Sequence, residues 1–253
     1  MSKLIAIAGK GGVGKTTFAA LLVRELIRRG KGPVFAVDAD ANVNLNDLLG
    51  LDVPQTIGSV REETARAIGS NSLPVSMPKE TYIEMQMEEA LVESSGFDLL
   101  VMGRPEGPGC YCFANNLLRK HMDVLSKNYP YVVMDNEAGM EHMSRRTAQS
   151  IDLLMVISDP SPVGLKTAAR IRDLAGELDL EVARTGLVLS RCNGELPEQV
   201  MTAIQSMELD LMGEIPTDPA ILDLAFAGKA VLDISDDSPA AAAVTKLADS
   251  LQL

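Results

Sequence analysis

The most constraining feature of the sequence is a glycine-rich segment at positions 9–17, Gly-Lys-Gly-Gly-Val-Gly-Lys-Thr-Thr. It satisfies the pattern G-x-x-x-x-G-K-[ST]. It follows an apolar run, Leu4–Ala8, and it opens a helical pattern, Thr16–Arg29. Backbone N–H groups of such a loop turn inward around phosphate oxygens, and the following helix N-terminus favours negative charge. Motif and context together predict a nucleotide-phosphate site and disfavour a glycine-rich turn without a ligand.

Individual residues of this loop take predicted roles. Lys15 is expected to bridge the β- and γ-phosphates, and the Thr16 hydroxyl is expected to ligate Mg²⁺. The rest of the phosphate cradle is predicted to come from Gly11, Gly12, Val13, Gly14 and Thr17.

Apolar runs alternate with helical patterns along the whole chain. The predicted strands are Leu4–Ala8, Val34–Val37, Leu99–Met102, Tyr131–Met134, Leu153–Ile157, Thr185–Leu189 and Leu211–Ile215. The predicted helices are Thr16–Arg29, Tyr82–Ser94, Phe113–Lys127, Gly164–Leu178, Pro197–Gln205, Pro219–Ala227 and Pro239–Leu251. Nearly continuous apolar strands are typical of a parallel sheet that is buried on both faces. We therefore predict one three-layer α/β P-loop domain over residues 1–253, with a mostly parallel sheet of about seven or eight strands.

Two predicted strands end in acidic residues: Asp38 and Asp40 follow the second strand, and Asp135 follows the fourth. The carboxyl ends of strands line the ligand crevice of an open parallel sheet. Asp38 is a candidate to hold a Mg²⁺-bound water, and Asp135 is the second strand-end carboxylate that a P-loop enzyme needs. Gly139 would let the next segment move with the γ-phosphate. The alternatives are capping of a helix at Leu45–Gly50 and an ordinary strand-to-turn aspartate.

Composition excludes several classes of protein. The 253 residues carry 23 basic and 35 acidic side chains, a net charge of −12, so binding to nucleic acid is disfavoured. No apolar run approaches the roughly 20 residues of a membrane span, and the N-terminal run is too short for a signal peptide. Three cysteines do not make a disulfide framework, so a cytoplasmic location is expected.

Two of the cysteines, Cys110 and Cys112, follow a Gly-Pro-Gly turn. A soft divalent ion such as nickel or zinc usually takes four donors, and two thiolates supply half of them. The remaining donor types, His121, His142 and Cys192, lack ligand spacing, whereas a second copy of the chain would complete the set by two-fold symmetry. Burial as small apolar side chains and a redox pair are the alternatives for this pair, and Cys192 alone is expected to be structural.

The loop resembles a known variant of the phosphate-binding motif, because Lys10 adds a second lysine in K-G-G-x-G-K-[ST]. This variant is similar to that of dimerising ATPases such as the nitrogenase iron protein, septum-positioning and plasmid-partition ATPases, and metal-cluster maturation ATPases. The resemblance implies that Lys10 reaches the nucleotide of the partner subunit, and that Asp40 positions the attacking water.

The same resemblance bears on the nucleotide base. The family usually places an asparagine at the end of the strand that corresponds to Thr185–Leu189, whereas this chain has Ser190 there and Asn193 three residues later. The segment with Pro216 and Asp218 is similar to the family's I-P-x-D loop beside adenine. The resemblance therefore implies ATP, with Asn193, Pro216 and Asp218 near the base.

Two further blocks narrow the resemblance: Gly109–Asn116 with its Cys-x-Cys, and the A-G-x-E-H segment at Ala138–His142. Together with the phosphate loop they resemble the nickel-insertion ATPases of carbon monoxide dehydrogenase maturation. This resemblance implies a homodimer that hydrolyses ATP with Mg²⁺. It also implies that Cys110 and Cys112 bind Ni²⁺, or Zn²⁺, for a carbon monoxide dehydrogenase or acetyl-CoA synthase client. No nucleic-acid or membrane partner is expected.

Two other functions compete with this one. An ATPase of the nitrogenase iron protein type would hold a bridging iron–sulfur cluster, although its cysteines come from different loops. A partition or positioning ATPase would need a basic surface or a basic C-terminal helix. Residues 214–253 contain seven acidic side chains and two lysines, which disfavours such a surface.

Overall fold

The computed structural model describes residues 2–70, 78–104, 118, 122, 124–137 and 150–253. Within them, an eight-stranded sheet lies between two layers of helices. The strands are β1 Lys3–Gly9, β2 Val34–Ala39, β3 Val92–Glu93, β4 Phe97–Val101, β5 Tyr131–Asn136, β6 Leu153–Ser158, β7 Thr185–Ser190 and β8 Leu211–Ile215. The helices are α1 Lys15–Arg28, α2 Leu45–Leu49, α3 Ile57–Gly69, α4 Lys79–Glu89, α5 Pro162–Glu177, α6 Glu198–Ser206, α7 Pro219–Phe226 and α8 Pro239–Ser250.

The order of strands across the sheet is β3-β4-β2-β5-β1-β6-β7-β8. All neighbours are parallel except β3 and β4. Asp135 of β5 is in register with Ile7 of β1 on one side and with Asp38 of β2 on the other. The carboxyl ends of the central strands therefore meet at one edge of the sheet, directly beside the glycine-rich loop that follows β1.

Alternation along β1 shows how the core is divided. Leu4, Ala6 and Ala8 pack into the cluster that α3, α5 and α6 cover, whereas Ile5 and Ile7 pack into the cluster under α1 and α8. Both sets are buried because the sheet is covered on both faces. Full burial of each isoleucine stabilises the fold by roughly 1.5–3 kcal/mol, so the central strand is firmly held.

All seven predicted strands are present, and the α/β fold with a mostly parallel sheet is confirmed. The predicted helix Tyr82–Ser94 is wrong at its C-terminal end, because α4 stops at Glu89 and the chain then forms β3. A tight reversal causes this: Ser94 N–H donates to Phe97 O, and Gly96 adopts a φ of 87°. The edge strand β3 pairs antiparallel with β4 across that reversal.

Helix α3 lies in a part of the chain where the sequence pattern predicts neither a helix nor a strand. Its N-terminus is a capping box in which Thr56 Oγ1 accepts from Ser59 N–H while Ser59 Oγ accepts from Thr56 N–H. In the predicted helix Phe113–Lys127, the described residues 118, 122 and 124–125 are helical, and a 3₁₀ turn follows at Ser126–Asn128. Among the described helices, none has the length and apolar character needed to cross a bilayer.

Candidate active site

The glycine-rich loop joins β1 to α1, and two of its glycines are required by its shape. A Cβ at Gly9 would lie 2.3 Å from the carbonyl oxygen of Ile157 on β6, so the loop leaves the sheet where only glycine fits. Gly14 has a φ of 94° and immediately precedes α1, whose N-terminus has no side-chain cap. A helix start without its own cap leaves backbone N–H groups for an anion.

The two lysines of the loop differ in environment. Lys15 is 8% exposed, and its Nζ donates only a long 3.5 Å hydrogen bond, to Lys10 O, among the contacts that the described residues make. An ammonium group has three donors, and burying it without partners is unfavourable. Lys10 is exposed to solvent. The geometry suits a bound anion at Lys15, whereas the side chain of Lys10 is accessible from outside the chain.

Asp135 is the most informative carboxylate of this site. It is 2% exposed, its Oδ1 has no hydrogen-bond partner, and the Thr16 hydroxyl lies near it. Burial raises its pKa to about 7; Asp38 and Asp40 add to this rise, and Thr16 and Lys15 oppose it. A buried carboxylate oxygen without a partner, beside a hydroxyl, is the oxygen donor set that Mg²⁺ prefers. The residues therefore fit Mg²⁺, which would be held by Thr16 and Asp135 and would neutralise phosphate charge.

The side chain of Asp38 stabilises the loop between β2 and α2. Its carboxylate accepts from the N–H groups of Asp40 (3.1 Å), Asn44 (3.1 Å) and Leu45 (3.0 Å). Burial raises its pKa, although these three hydrogen bonds lower it in part. The capping alternative thus describes Asp38, while its link to a Mg²⁺-bound water stays a prediction. Asp40 is half-buried and accepts from Asn42 N–H at 2.8 Å, so it helps to shape the loop between β2 and α2.

The residues predicted to flank the base lie at the ends of β7 and β8. Asn193 Oδ1 accepts from Thr217 N–H, and its Nδ2 donates to Thr217 Oγ1, both at 3.3 Å. Pro216 precedes this threonine. Asp218 is buried, caps α7 through Ala220 N–H, and accepts from Ser238 at the start of α8. Its side chain serves the fold, and its contact with a nucleotide stays a prediction.

Two residues at this edge were not predicted as site residues. Ser190 Oγ donates to Val13 O at 2.7 Å, and Arg191 Nη2 donates to Gly12 O at 2.7 Å. Their position in the sequence could have indicated a role in the site, because both lie where a parallel strand ends beside the ligand crevice. The contacts themselves depend on the tertiary proximity of β7 and the phosphate loop.

The predicted metal ligands Cys110 and Cys112 lie outside the described residues. Among the described residues, no three histidine, cysteine or carboxylate side chains gather as a metal site. Cys192 is buried, and burial raises the pKa of its thiol to about 11, with the charge of Glu214 adding to the effect. It is therefore a neutral thiol near pH 7, in keeping with a structural role.

The sequence of residues 4–231 matches a family model described as the CobQ/CobB/MinD/ParA nucleotide binding domain. The chain belongs to this family. Membership agrees with the glycine-rich loop, the buried Lys15 and the paired strand-end carboxylates, and it identifies the protein as a P-loop ATPase.

Proteins with differing names are similar in sequence to the chain. It is 39% identical to the uncharacterized ATP-binding protein MJ0685 of Methanocaldococcus jannaschii, over 98% of each chain. It is 32% identical to the carbon monoxide dehydrogenase accessory protein CooC of Rhodospirillum rubrum, over 91% of this chain and 90% of that one. It is 25% identical to the cytosolic Fe-S cluster assembly factor NBP35 of Kluyveromyces lactis, over 99% of this chain and 76% of that one.

The fold also matches a solved structure. The ParA family ATPase from Chlorobium tepidum superposes with a TM-score of 0.74 at 18% identity, over 99% of this chain and 98% of that one. At this level of identity the likeness supports the fold alone.

Proposed function

We propose that the protein is an ATP-dependent metallochaperone that binds nickel between two copies of the chain. It would deliver the metal to an enzyme of the carbon monoxide dehydrogenase type, or to an acetyl-CoA synthase. The observation that carries this proposal is the 32% identity to a carbon monoxide dehydrogenase accessory protein over 91% of the chain. The Cys110 and Cys112 pair supplies the matching chemistry, because thiolates bind nickel strongly.

In this proposal the phosphate loop binds ATP. Lys15 contacts the β- and γ-phosphates, and the loop backbone surrounds them. Asp40 orients the attacking water, and Lys10 of each subunit reaches the nucleotide of the other. The exposure of Lys10 supports its role across an interface, and the burial of Lys15 supports its role within one chain.

The dimer links nucleotide to metal. Two Cys-x-Cys pairs, one from each subunit, would supply four thiolates, enough for planar nickel or tetrahedral zinc. If ATP favours the closed dimer, a metal that binds only this state must favour ATP binding by the same factor. Hydrolysis would then reopen the dimer and release the metal to the client enzyme.

Nickel titration of the purified protein, with and without Mg-ATP, tests the shared site. We expect one nickel ion for every two chains, tighter binding with ATP, and loss of this binding in Cys112→Ala. The matched control is Cys192→Ala, which removes a buried neutral thiol and is expected to bind nickel normally. One nickel per chain, unchanged in Cys112→Ala, would contradict the proposal.

The second candidate is an ATPase that holds a bridging iron–sulfur cluster, favoured by the similarity to an Fe-S cluster assembly factor. A brown chromophore after anaerobic purification, lost in Cys112→Ala, would support it over nickel delivery. A partition or positioning ATPase is the third candidate. ATP-dependent co-sedimentation with DNA or with anionic liposomes would support that function.

A further inference from the structure

The carboxyl end of β7 is attached to the phosphate loop by two consecutive side chains. Ser190 is buried, and its hydroxyl donates to Val13 O at 2.7 Å, with Ser158 O at 3.3 Å as a second acceptor. Arg191 Nη2 donates to Gly12 O at 2.7 Å. Two neighbouring carbonyls of the loop after β1 are therefore each held by a side chain from the end of β7.

Because the peptide bond is planar, the contacts to these two carbonyls also fix the directions of the N–H groups that follow them. In a trans peptide the C=O and the following N–H point in opposite directions. The hydrogen bond to Gly12 O therefore sets the direction of Val13 N–H, and the hydrogen bond to Val13 O sets that of Gly14 N–H. Both N–H groups belong to the predicted phosphate cradle. Holding the carbonyls on the side of β7 turns the donors to the opposite side.

The backbone of Arg191 departs from ordinary strand geometry. Consecutive side chains of a strand point to opposite faces of the sheet, so an extended Arg191 could not reach the same loop as Ser190. Arg191 instead has a φ of 58°, in the left-handed region that side chains with a Cβ disfavour. The residue after it is anchored, because Cys192 N–H donates to Ile215 O. The strained turn thus brings two adjacent side chains to two adjacent carbonyls.

We propose that Ser190 and Arg191 are positioning residues that preorganise the phosphate loop for nucleotide binding. They act through the backbone of Gly12, Val13 and Gly14 and need not touch the nucleotide. The inference rests on the phosphate-loop assignment, and it holds whether or not the protein binds nickel. It also gives Ser190 a use at the position where related ATPases usually have asparagine.

Calorimetric titration with two probes tests this role: Mg-ADP, and magnesium pyrophosphate, which lacks base and ribose. Arg191→Met is expected to lower the affinity for both probes by the same factor, about tenfold, because it removes one charge-assisted hydrogen bond to the loop. Arg191→Lys, which keeps a donor, should recover binding to within about threefold of wild type. Ser190→Ala should also weaken both probes equally. In steady-state assays the KM for Mg-ATP should rise while kcat changes little.

Arg184→Met is the matched control, because Arg184 lies at the opposite end of β7 and pairs with Asp210 at the surface. It should bind both probes like wild type.

Two results would overturn the proposal. Loss of Mg-ADP binding alone, with pyrophosphate unaffected, would mean that Arg191 contacts the nucleoside. Unchanged binding in Arg191→Met and Ser190→Ala would mean that the contacts do not position the loop. Binding of Mg-ADP to the wild-type protein tests the phosphate-loop assignment itself. An error in that assignment can therefore be told apart from an error in the role of Ser190 and Arg191.

Discussion

The two ends of helix α1 place ionisable side chains in opposite situations. At the C-terminal end, Glu25 is 1% exposed and accepts from Arg28 (2.8 Å), Arg29 (2.6 Å) and Thr245 (3.1 Å). At the N-terminal end, the buried Lys15 has one long hydrogen bond among the described contacts, and Asp135 Oδ1 has no partner.

The pKa values of Glu25 and Asp135 shift in opposite directions, in agreement with this difference in hydrogen-bond partners. Burial raises the pKa of both, but at Glu25 the hydrogen bonds from Arg28, Arg29 and Thr245 outweigh burial and lower it. At Asp135 burial dominates, and the pKa rises to about 7. Buried polar groups in folded proteins normally have their partners, so those that lack them need an explanation. The comparison teaches that the polar groups at one end of α1 find their partners within the chain, whereas those at the other end lack them and are the groups that we assign to Mg²⁺ and nucleotide.

The largest expected effect comes from Lys15→Ala. ATP turnover should fall by about 10³-fold or more, because the variant lacks the cation that stabilises charge on the transferred phosphoryl group. The free energy of unfolding of the nucleotide-free protein should stay the same or rise, because the wild-type ammonium is buried with one weak contact. Turnover assays and denaturant titration measure the two effects. A normal rate, or strong destabilisation without nucleotide, would break the contrast between the two ends.

The next effect is that of Lys10→Ala. Hydrolysis should fall by about 10³-fold, together with ATP-dependent dimerisation, if this lysine acts across the interface as an arginine finger does. Mg-ADP binding by the monomer should be nearly unchanged, because the exposed Lys10 is assigned to the nucleotide of the partner subunit. Sedimentation velocity with a non-hydrolysable ATP analogue checks the dimer. Normal turnover in this variant would exclude the trans-lysine mechanism.

The smallest effect on activity, but a clear one on stability, is expected from Glu25→Gln. It should lower the free energy of unfolding at pH 7 by about 2–3 kcal/mol, because it leaves two arginines around a neutral side chain. Folding lowers the pKa of Glu25 below its usual value of 4.5. The ionised side chain therefore stabilises the fold fully at a pH above 4.5, and this contribution is lost as the pH falls through the lower pKa of the folded state. The difference between wild type and variant should therefore shrink in acid.

The control for this variant is Asp249→Asn. Asp249 is the exposed partner of Arg29, so its loss should cost less than about 1 kcal/mol. Equal destabilisation by both variants, or a Glu25→Gln difference that grows below pH 4, would contradict the assigned role of the buried carboxylate.

Much of the fold follows from local pattern. The continuous apolar runs identify the strands because a doubly covered parallel sheet needs them, and the loop motif identifies the phosphate site because glycine and lysine are chemically required there. The two-residue strand β3 carries no such pattern, because its pairing depends on the reversal at Gly96. Helix α3 begins with a Thr56–Ser59 capping box, which lacks the more familiar glutamate or glutamine.

The site could be predicted in part. Lys15, Thr16 and Asp135 stand where their motif and strand end place them, and the structure brings them together. Capping at Leu45 was open as an alternative for Asp38, and the structure bears it out. The hydrogen bonds of Asp218 to Ala220 and Ser238 could not be predicted, because they depend on how the loops fold back. The contacts of Ser190 and Arg191 needed both the strand order and a left-handed turn, and neither is visible in a local pattern.

The most direct test of this contrast is the gain in unfolding free energy on adding Mg-ADP at 100 times its dissociation constant for wild type. A ligand that binds only the folded state should add about 2.7 kcal/mol. We predict this gain for wild type and for Glu25→Gln alike, and little or none for Lys15→Ala at the same concentration. A full gain in Lys15→Ala, or its loss in Glu25→Gln, would contradict the assignment of the N-terminal end of α1 as the nucleotide site.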